Sequence, residues 1–180
     1  MKKILLIITV LVTITSICYC QEGPLNLIVL SDKKVYKNNE DIKIKLKITN
    51  ISQFPIIINS RCESFEIEIK NRNGDVIIPK KSIMLKKGPP TEKDFIKLNS
   101  SESWNSDFIT ISPYKEGGSG YVYLDGCYDI LDVGEYTIKA RYSNHYLESY
   151  NYETGERKKV EAWTGALTSN TISIDVTKKK

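Results

Sequence analysis

The chain of 180 residues has an ordinary globular composition, with 41% hydrophobic and 27% charged residues. That balance excludes an intrinsically disordered chain, and the length is sufficient for one domain with a substantial core. The formal net charge of +4 falls by two if Lys2 and Lys3 are removed. So small a charge gives no electrostatic basis for nucleic-acid binding.

The first twenty residues have the layout of a secretory signal peptide. Two lysines precede a predominantly apolar run from Ile4 to Val12, and the chain turns polar after Cys20. A permanent transmembrane helix would need about 20 predominantly apolar residues. We therefore predict cleavage after Cys20 and export to the periplasm or the exterior. The alternative is a lipid anchor, with Cys18 or Cys20 as the acylated residue.

Alternating apolar and polar residues mark strands along the remainder of the chain. In residues 40–52, isoleucine and leucine alternate with lysine, which indicates a strand with one buried and one solvated face. We expect residues 54–59 to pair with that strand as a hairpin across a short Ser-Gln turn. Asn73 and Gly74 predict a second hairpin within residues 64–78, because both residue types tolerate positive φ. Further strands are predicted at 25–31, 95–98, 102–112, 135–144 and 168–176.

The connections between these strands carry turn-forming residues. Residues 85–94 are rich in proline and glycine, 117–134 hold a short strand between two loops, and 145–167 form a polar, tyrosine-rich insertion. No segment has apolar residues at helical spacing over three turns. Seven to nine short strands predict an all-β fold, an antiparallel β-sandwich or barrel, with residues 21–180 as one domain.

The stretch from Leu131 to Tyr136 has the spacing of a tyrosine corner. Gly134 stands between them, and Tyr136 opens a late strand. In Greek-key sandwiches such a tyrosine donates its hydroxyl to the backbone a few residues upstream. We predict a structural role for Leu131, Gly134 and Tyr136.

Cys62 and Cys127 are the two cysteines that remain after the signal peptide. In an oxidising compartment such a pair indicates one disulfide, which would stabilise by about 2–4 kcal/mol. A zinc site is disfavoured because it needs four ligands, and these two cysteines with the single histidine, His145, provide only three. The sequence predicts no metal site and no cofactor.

Groups suited to catalysis are scarce. His145 is expected to be an exposed loop residue, and no nucleophile elbow, zinc-protease helix motif or phosphate-binding loop is present. The acidic cluster Asp125, Asp129, Asp132 and Glu135 is typical of turns, with a calcium site or an Asp/Glu hydrolase as alternatives. We predict a non-enzyme.

Aromatic residues concentrate in and beside the polar insertion. Tyrosine and tryptophan are preferred anchors of binding surfaces, so this region is a candidate site for a protein or carbohydrate partner. Its residues are Tyr142, Tyr146, Tyr150, Tyr152 and Trp163, of which Trp163 could also belong to the core. An alternative function is a secreted proteinase inhibitor that uses residues 86–94 as its loop.

Four segments together resemble a known type of secreted β-sandwich. Their shared features are a Thr-Asn before a short turn, a Gly-Pro-Pro loop, Leu-x-x-x-Glu-Ser before a strand, and Gly-x-Tyr opening a strand. The chain resembles the non-catalytic immunoglobulin-like domain that precedes the protease domain of deuterolysin-type zinc metallopeptidases, and similar free-standing exported bacterial proteins. The resemblance implies an immunoglobulin-like or fibronectin-like sandwich that serves as a binding or accessory module. No catalytic residue is carried over, because those peptidases hold their zinc ligands in a following helical domain. The segments are 37–58, 86–108, 133–142 and 163–176.

Overall fold

The fold is built almost entirely from β-strands. A computed structural model of the chain describes residues 23–38, 40–78, 88–113, 127–128 and 133–178. Its strands are β1 (Leu25–Ser31), β2 (Val35–Lys37), β3 (Ile42–Asn50), β4 (Ile56–Asn59), β5 (Phe65–Asn71), β6 (Phe95–Leu98), β7 (Ser103–Asn105), β8 (Ile109–Pro113), β9 (Cys127–Tyr128), β10 (Gly134–Ser143), β11 (Glu148–Tyr150), β12 (Arg157–Lys159) and β13 (Ala166–Thr177). In this described part, no helix is long and apolar enough to cross a membrane.

Two larger sheets share one hydrophobic cluster. The first has the order β1-β3-β8-β9, with β7 also paired to β3, and the second has the order β2-β13-β10-β5. Strands β4 and β6 form a separate antiparallel pair, as do β11 and β12. Both sheets send buried side chains into the same cluster, among them Leu27 and Leu46 from the first and Ile138 and Ile174 from the second.

Strand β3 confirms the predicted alternation. Its apolar residues are buried at every second position, while the side chain of Lys43 is exposed and those of Lys45 and Lys47 are half-buried. Antiparallel pairing with β1 places Leu27 opposite Ile48, so two buried residues face the same core. Period-two burial follows directly from the pleat of a strand that has one face in the core.

Strand β4 does not form the hairpin predicted with β3. It pairs with β6 instead, Ile56 opposite Leu98, and it belongs to a different sheet from β3. The reason lies in Asn50, which is fully buried and whose Nδ2 donates to the carbonyls of Phe54 (2.7 Å) and Leu98 (2.9 Å). These bonds hold the turn in a shape that carries the chain across to β6.

The Asn-Gly turn after β5 is confirmed. Gly74 adopts φ 86°, and its amide donates to the carbonyl of Asn71 at 2.9 Å. On the return arm, which is described as far as Ile78, Val76 forms a bridge with Lys70, and the Ile77 amide donates to the Ile69 carbonyl at 2.8 Å. The predicted strand at 102–112 is likewise two strands, β7 and β8, and the insertion at 145–167 contains the β11–β12 hairpin.

A β-bulge in β13 joins the two large sheets. The register with β10 shifts between Lys139 and Arg141, so that Ser169 and Asn170 together face Ala140. The Ser169 hydroxyl accepts the Ala140 amide at 2.8 Å, replacing a ladder carbonyl. Asn170 reaches the other sheet, where its Oδ1 accepts the Val29 amide at 2.8 Å and its Nδ2 donates to the Val29 carbonyl at 3.2 Å. Its side-chain amide thus pairs with the outer edge of β1 as a neighbouring strand would.

Replacing Asn170 with alanine is expected to lower the free energy of unfolding by about 2 kcal/mol, because a buried amide and carbonyl of Val29 lose their partner. Urea denaturation followed by circular dichroism measures the change. Thr171→Ala, an exposed neighbour in the same strand, is the control and should stay within about 0.5 kcal/mol. Equal effects of the two substitutions would contradict a specific role for Asn170.

Several sequence predictions concern residues outside the described ranges. These are the signal peptide with its alternative lipid sites Cys18 and Cys20, the corner residue Leu131, and three members of the acidic cluster, Asp125, Asp129 and Asp132.

Candidate functional site

The aromatic residues that were predicted to form one binding surface differ in their exposure to solvent. Tyr142 is 0% exposed and belongs to the core, so its assignment to a binding surface was wrong. Its ring lies between Phe65 and Trp163, with centroid distances of 5.0 and 6.0 Å. Trp163 is half-buried and packs against the core. Strand β10 alternates inward and outward, and Tyr142 falls on the inward face with Ile138 and Ala140.

The other three tyrosines lie near one another on the outside. Tyr146 and Tyr152 are 41% and 58% exposed, and Tyr150 is half-buried. The rings of Tyr150 and Tyr152 meet edge to face with centroids 4.8 Å apart. Such contacts fix amphipathic side chains at a surface, with an apolar ring and a polar hydroxyl both available.

A cleft of about 370 Å³ opens beside these tyrosines. We call it the tyrosine cleft. It lies between the Pro-Pro segment before β6 and the chain that leaves β10 to form the β11–β12 hairpin. Its lining residues are Pro89, Pro90, His145, Tyr146, Leu147, Glu148, Ser149, Tyr150 and Arg157. The lining therefore combines aromatic and aliphatic packing surface with one imidazole and one acid–base pair.

One wall of the tyrosine cleft contains Pro89 and Pro90, and hydrogen bonds hold these residues and the preceding Gly88 in place. The Gly88 carbonyl accepts from Arg61 Nη1 at 2.7 Å, and the Pro89 carbonyl accepts from the Tyr152 hydroxyl at 3.1 Å. The Pro90 carbonyl accepts the Tyr150 amide at 2.7 Å. Three successive carbonyls are thereby occupied. An inhibitory loop keeps its backbone open to a protease, so residues 88–90 resemble a cleft wall more than such a loop.

Arg61 supports the Pro89–Pro90 wall through its hydrogen bond to the Gly88 carbonyl. Its side chain is 8% exposed and binds Glu63 through two hydrogen bonds, Nε to Oε2 at 3.2 Å and Nη2 to Oε1 at 2.6 Å. Asp94 lies 4.0 Å from Nη1. Burial opposes the charge on Glu63, but the hydrogen bonds from Arg61, from the Glu63 backbone amide and from the Cys62 thiol, together with the charge of Arg61, hold the pKa of the Glu63 carboxyl below its ordinary value. Both groups are therefore charged at neutral pH.

The opposite wall rests on buried asparagines. Asn144 Nδ2 donates to the carbonyls of Tyr146 and Trp163, both at 3.1 Å, and its Oδ1 accepts the Tyr146 amide at 3.0 Å. Asn59 Nδ2 donates to Asn144 Oδ1 at 3.2 Å, and the Asn59 amide donates to the Tyr142 hydroxyl at 2.9 Å. Buried polar groups with all partners present make a surface rigid. The tyrosine cleft is thus held by Arg61 on one side and Asn144 on the other.

Burial raises the pKa of Tyr142 to about 12 from an ordinary value of 10.0, although the Asn59 amide works in the opposite direction. A pKa raised in the folded state stabilises the fold below pH 10, and that stabilisation is lost as the pH rises through about 12. We expect about 2 kcal/mol to disappear over this interval. Urea unfolding at stepped alkaline pH measures it. Tyr142→Phe should flatten the dependence, and an unchanged pH profile in that variant would contradict the assignment.

The β11–β12 hairpin carries exposed ion pairs at the cleft rim. Arg157 Nη1 lies 3.4 Å from Glu148 Oε2, and Lys158 Nζ lies 2.8 Å from Glu92 Oε1. Both pairs are well exposed, so each contributes little to stability. The single long bond between Glu148 and Arg157 leaves further donors and acceptors of that pair free to contact a ligand.

The remaining predicted residues lie apart from the tyrosine cleft or contribute little to it. Gly134 begins β10 and Tyr136 is buried near its start, so the tyrosine corner remains a prediction with its third member undescribed. His145 is an exposed loop residue, as expected. Glu135 lies on the exposed face of β10, where it pairs with Asp175 in register. Among the described residues, no group of three or more His, Cys, Asp or Glu could hold a metal.

The predicted disulfide remains a prediction. Cys62 begins a short 3-10 turn before β5, and its Sγ lies 3.3 Å from Glu63 Oε2. Cys127 is in β9, where the side chain is outside the described part of the structure.

Sequence reasoning missed Arg61, Asn59 and Asn144, because a polar residue at a strand end or in a loop has the same local pattern whether it is solvated or buried. The Gly-Pro-Pro segment, which the sequence predicts to be a connection and, in one alternative, an inhibitory loop, gave no indication that it lines a cleft. No known protein family and no curated protein matches this sequence.

Proposed function

We propose that this chain is an exported, non-catalytic immunoglobulin-like β-sandwich that binds a protein or carbohydrate ligand in the tyrosine cleft. The sheet orders support the sandwich. Strands β1, β3 and β8 lie in the order of A, B and E in an immunoglobulin sheet, and β5, β10 and β13 lie in the order of C, F and G. Tyr136 near the start of β10 then occupies the place of the corner tyrosine of strand F.

The observation that carries the binding function is the rigid construction of the tyrosine cleft. Tyr146 and Leu147 are exposed and line the cleft. Arg61 and Asn144 support its two walls through hydrogen bonds to backbone carbonyls. Ligand sites are commonly preformed and combine apolar lining with a few convergent polar groups. A volume of about 370 Å³ falls in the range for a small ligand or a short segment of a larger one.

Export is supported by the N-terminal sequence, whose basic start and apolar run match a secretory signal. A binding module at the cell surface or outside meets peptides and saccharides. Both ligand classes use tyrosine rings as packing surfaces and charged side chains as hydrogen-bonding partners.

Arrays of cell-surface oligosaccharides and of peptides test this function, with positive ligands measured by calorimetry. Tyr146→Ala should weaken a true ligand by about tenfold, since truncating a central aromatic anchor costs more than 1 kcal/mol. The matched control is Phe108→Ala, an aromatic 50% exposed outside the cleft, which should leave affinity unchanged. Absence of any ligand, or equal loss in both variants, would refute the proposal.

A further inference from the structure

Strand β11 has one edge paired with β12 and one edge that borders the tyrosine cleft. On the paired edge, the Val160 amide donates to the Leu147 carbonyl at 2.7 Å. The Asn151 amide donates to the Glu156 carbonyl at 2.9 Å beyond the other end of the strand. In an antiparallel pair, the backbone groups of successive residues point alternately toward the partner strand and away from it. Residues 147, 149 and 151 therefore face β12, and residues 148 and 150 direct their backbone groups to the opposite edge.

This opposite edge is occupied at Tyr150 and free at Glu148. The Tyr150 amide donates to the Pro90 carbonyl at 2.7 Å, as it would to a neighbouring strand. The backbone amide and carbonyl of Glu148 have no hydrogen-bond partner among the residues that the structure describes. Backbone sites on one edge of a strand recur every two residues, about 7 Å apart, so Glu148 is the next site along the edge that Pro90 already uses.

The free backbone site lies inside the tyrosine cleft. Glu148 lines the cleft together with Pro90, Tyr146 and Leu147. Tyr146 and Leu147 are 41% and 45% exposed, so an apolar side chain of a ligand has a surface to pack against. An amide and a carbonyl on the same residue are both satisfied by a ligand that offers one acceptor and one donor at strand spacing. An extended peptide backbone offers this pair at every second residue.

We propose that the ligand of the tyrosine cleft is an extended peptide segment of a partner protein, which pairs with Glu148 and adds a strand beside β11. This inference rests on the proposed function, because it takes the tyrosine cleft as the binding site. Backbone hydrogen bonds at Glu148 set the register of the peptide. An apolar side chain of the peptide then packs on Tyr146 or Leu147. In strand addition of this kind, the main chain supplies affinity and the neighbouring side-chain contacts supply specificity.

Proline substitution at Glu148 tests the pairing from the protein side. Linear dodecapeptides displayed on phage are selected against the purified full chain, and those weakened by Tyr146→Ala are kept as cleft ligands. Calorimetry then compares their affinities for Glu148→Pro and Glu148→Ala. Both variants lose the same side chain, but only Glu148→Pro loses the amide hydrogen, and an edge strand tolerates proline. Glu148→Pro should bind about tenfold more weakly than Glu148→Ala.

Lys159→Pro is the matched control on the same hairpin. Lys159 lies opposite Glu148 in the register of β11 and β12, so its backbone groups face the far edge of β12. It is not among the residues that line the tyrosine cleft. Lys159→Pro should bind the peptides within about twofold of Lys159→Ala. Urea unfolding of both proline variants verifies that they are folded.

N-methylation of the selected peptides tests the same pairing without a variant protein. One N-methyl group removes one backbone donor, so affinity should fall about tenfold at the peptide residue that donates to the Glu148 carbonyl and little at its two neighbours. Equal affinities of Glu148→Pro and Glu148→Ala, or an N-methyl scan without such alternation, overturn the strand pairing.

The remaining outcomes separate this inference from the proposed function. If saccharides bind in the cleft and no selected peptide depends on Tyr146, the peptide inference is wrong and the proposed function stands. If neither class of ligand binds, both are wrong.

Discussion

Replacing Asn50 with alanine is expected to lower the free energy of unfolding by about 3 kcal/mol, the largest single effect among the described polar residues. The side chain is 0% exposed and bonds the carbonyls of Phe54 and Leu98 and the amide of Ser52. Alanine removes all three bonds and opens the turn that directs β4 to β6. Urea denaturation with a fluorescence readout from Trp104, which pairs with β3 nearby, measures the loss.

Asn99→Ala is the matched control for this experiment. Asn99 is also an asparagine in a turn, but it is exposed, and its side chain donates only to Glu102 at 3.1 Å. Its replacement should change stability by no more than about 0.5 kcal/mol. If Asn50→Ala behaved like Asn99→Ala, the turn would not depend on the buried amide, and its assigned rigidity would fail.

Replacing Arg61 with methionine is expected to lower the free energy of unfolding by about 2 kcal/mol, because the buried guanidinium supplies hydrogen bonds to both Glu63 and the Gly88 carbonyl. The cleft wall should loosen at the same time. Hydrogen exchange at the Tyr150 amide, which donates to the Pro90 carbonyl, reports that loosening separately from global stability.

Two further variants test whether the loss of stability in Arg61→Met comes from the buried charge of Arg61. Arg157→Met removes an arginine that is 69% exposed and also paired to a glutamate, and it should change stability by no more than about 0.5 kcal/mol. The double variant Arg61→Met with Glu63→Leu should recover part of the loss, since no charge remains without its partner. Failure of the double variant to recover stability would show that packing, not charge, dominates at Arg61.

The strands that bury one face could be predicted from the sequence because their pattern is local. The bounds of β1 agree with the predicted 25–31, and β3 and β10 fall within a residue or two of theirs. In β3 and β10, inward and outward positions differ in hydropathy at period two, and no information about distant residues is needed. In β1 the outward residues Ile28 and Leu30 are apolar as well. The insertion was recognised as a distinct region for the same reason, from its composition.

Pairing partners and buried polar groups could not be predicted, because they depend on residues far apart in the chain. Asn59 meets Asn144, Arg61 meets Gly88, and β4 meets β6 across a loop of more than thirty residues. An asparagine or arginine in a loop carries the same local signal whether it is solvated or buried. The tyrosine cleft was therefore predicted in part, by its tyrosines, while its supports were missed.

Several features that gave the sequence its resemblance serve the fold. The Asn of Thr-Asn is Asn50, which closes the β3–β4 turn, and the Glu of Leu-x-x-x-Glu-Ser is Glu102, whose carboxylate accepts the Asn99 amide at 2.7 Å. Ser169 and Asn170, in the last of the four resembling segments, form the bulge inside β13. Such positions indicate architecture. In the proposed function, the ligand is bound elsewhere, by residues such as Tyr146 and Arg157.

The parallel pair of β2 and β13 has a mechanical consequence. The Asp175 amide donates to the Lys34 carbonyl and the Asn38 amide to the Thr177 carbonyl, both at 2.8 Å, so the first and last parts of the domain are bonded side by side. Tension applied at the two ends of the domain pulls these strands past each other, and their bonds are strained together instead of one after another. This short parallel pair is therefore expected to resist extension of the fold by shear.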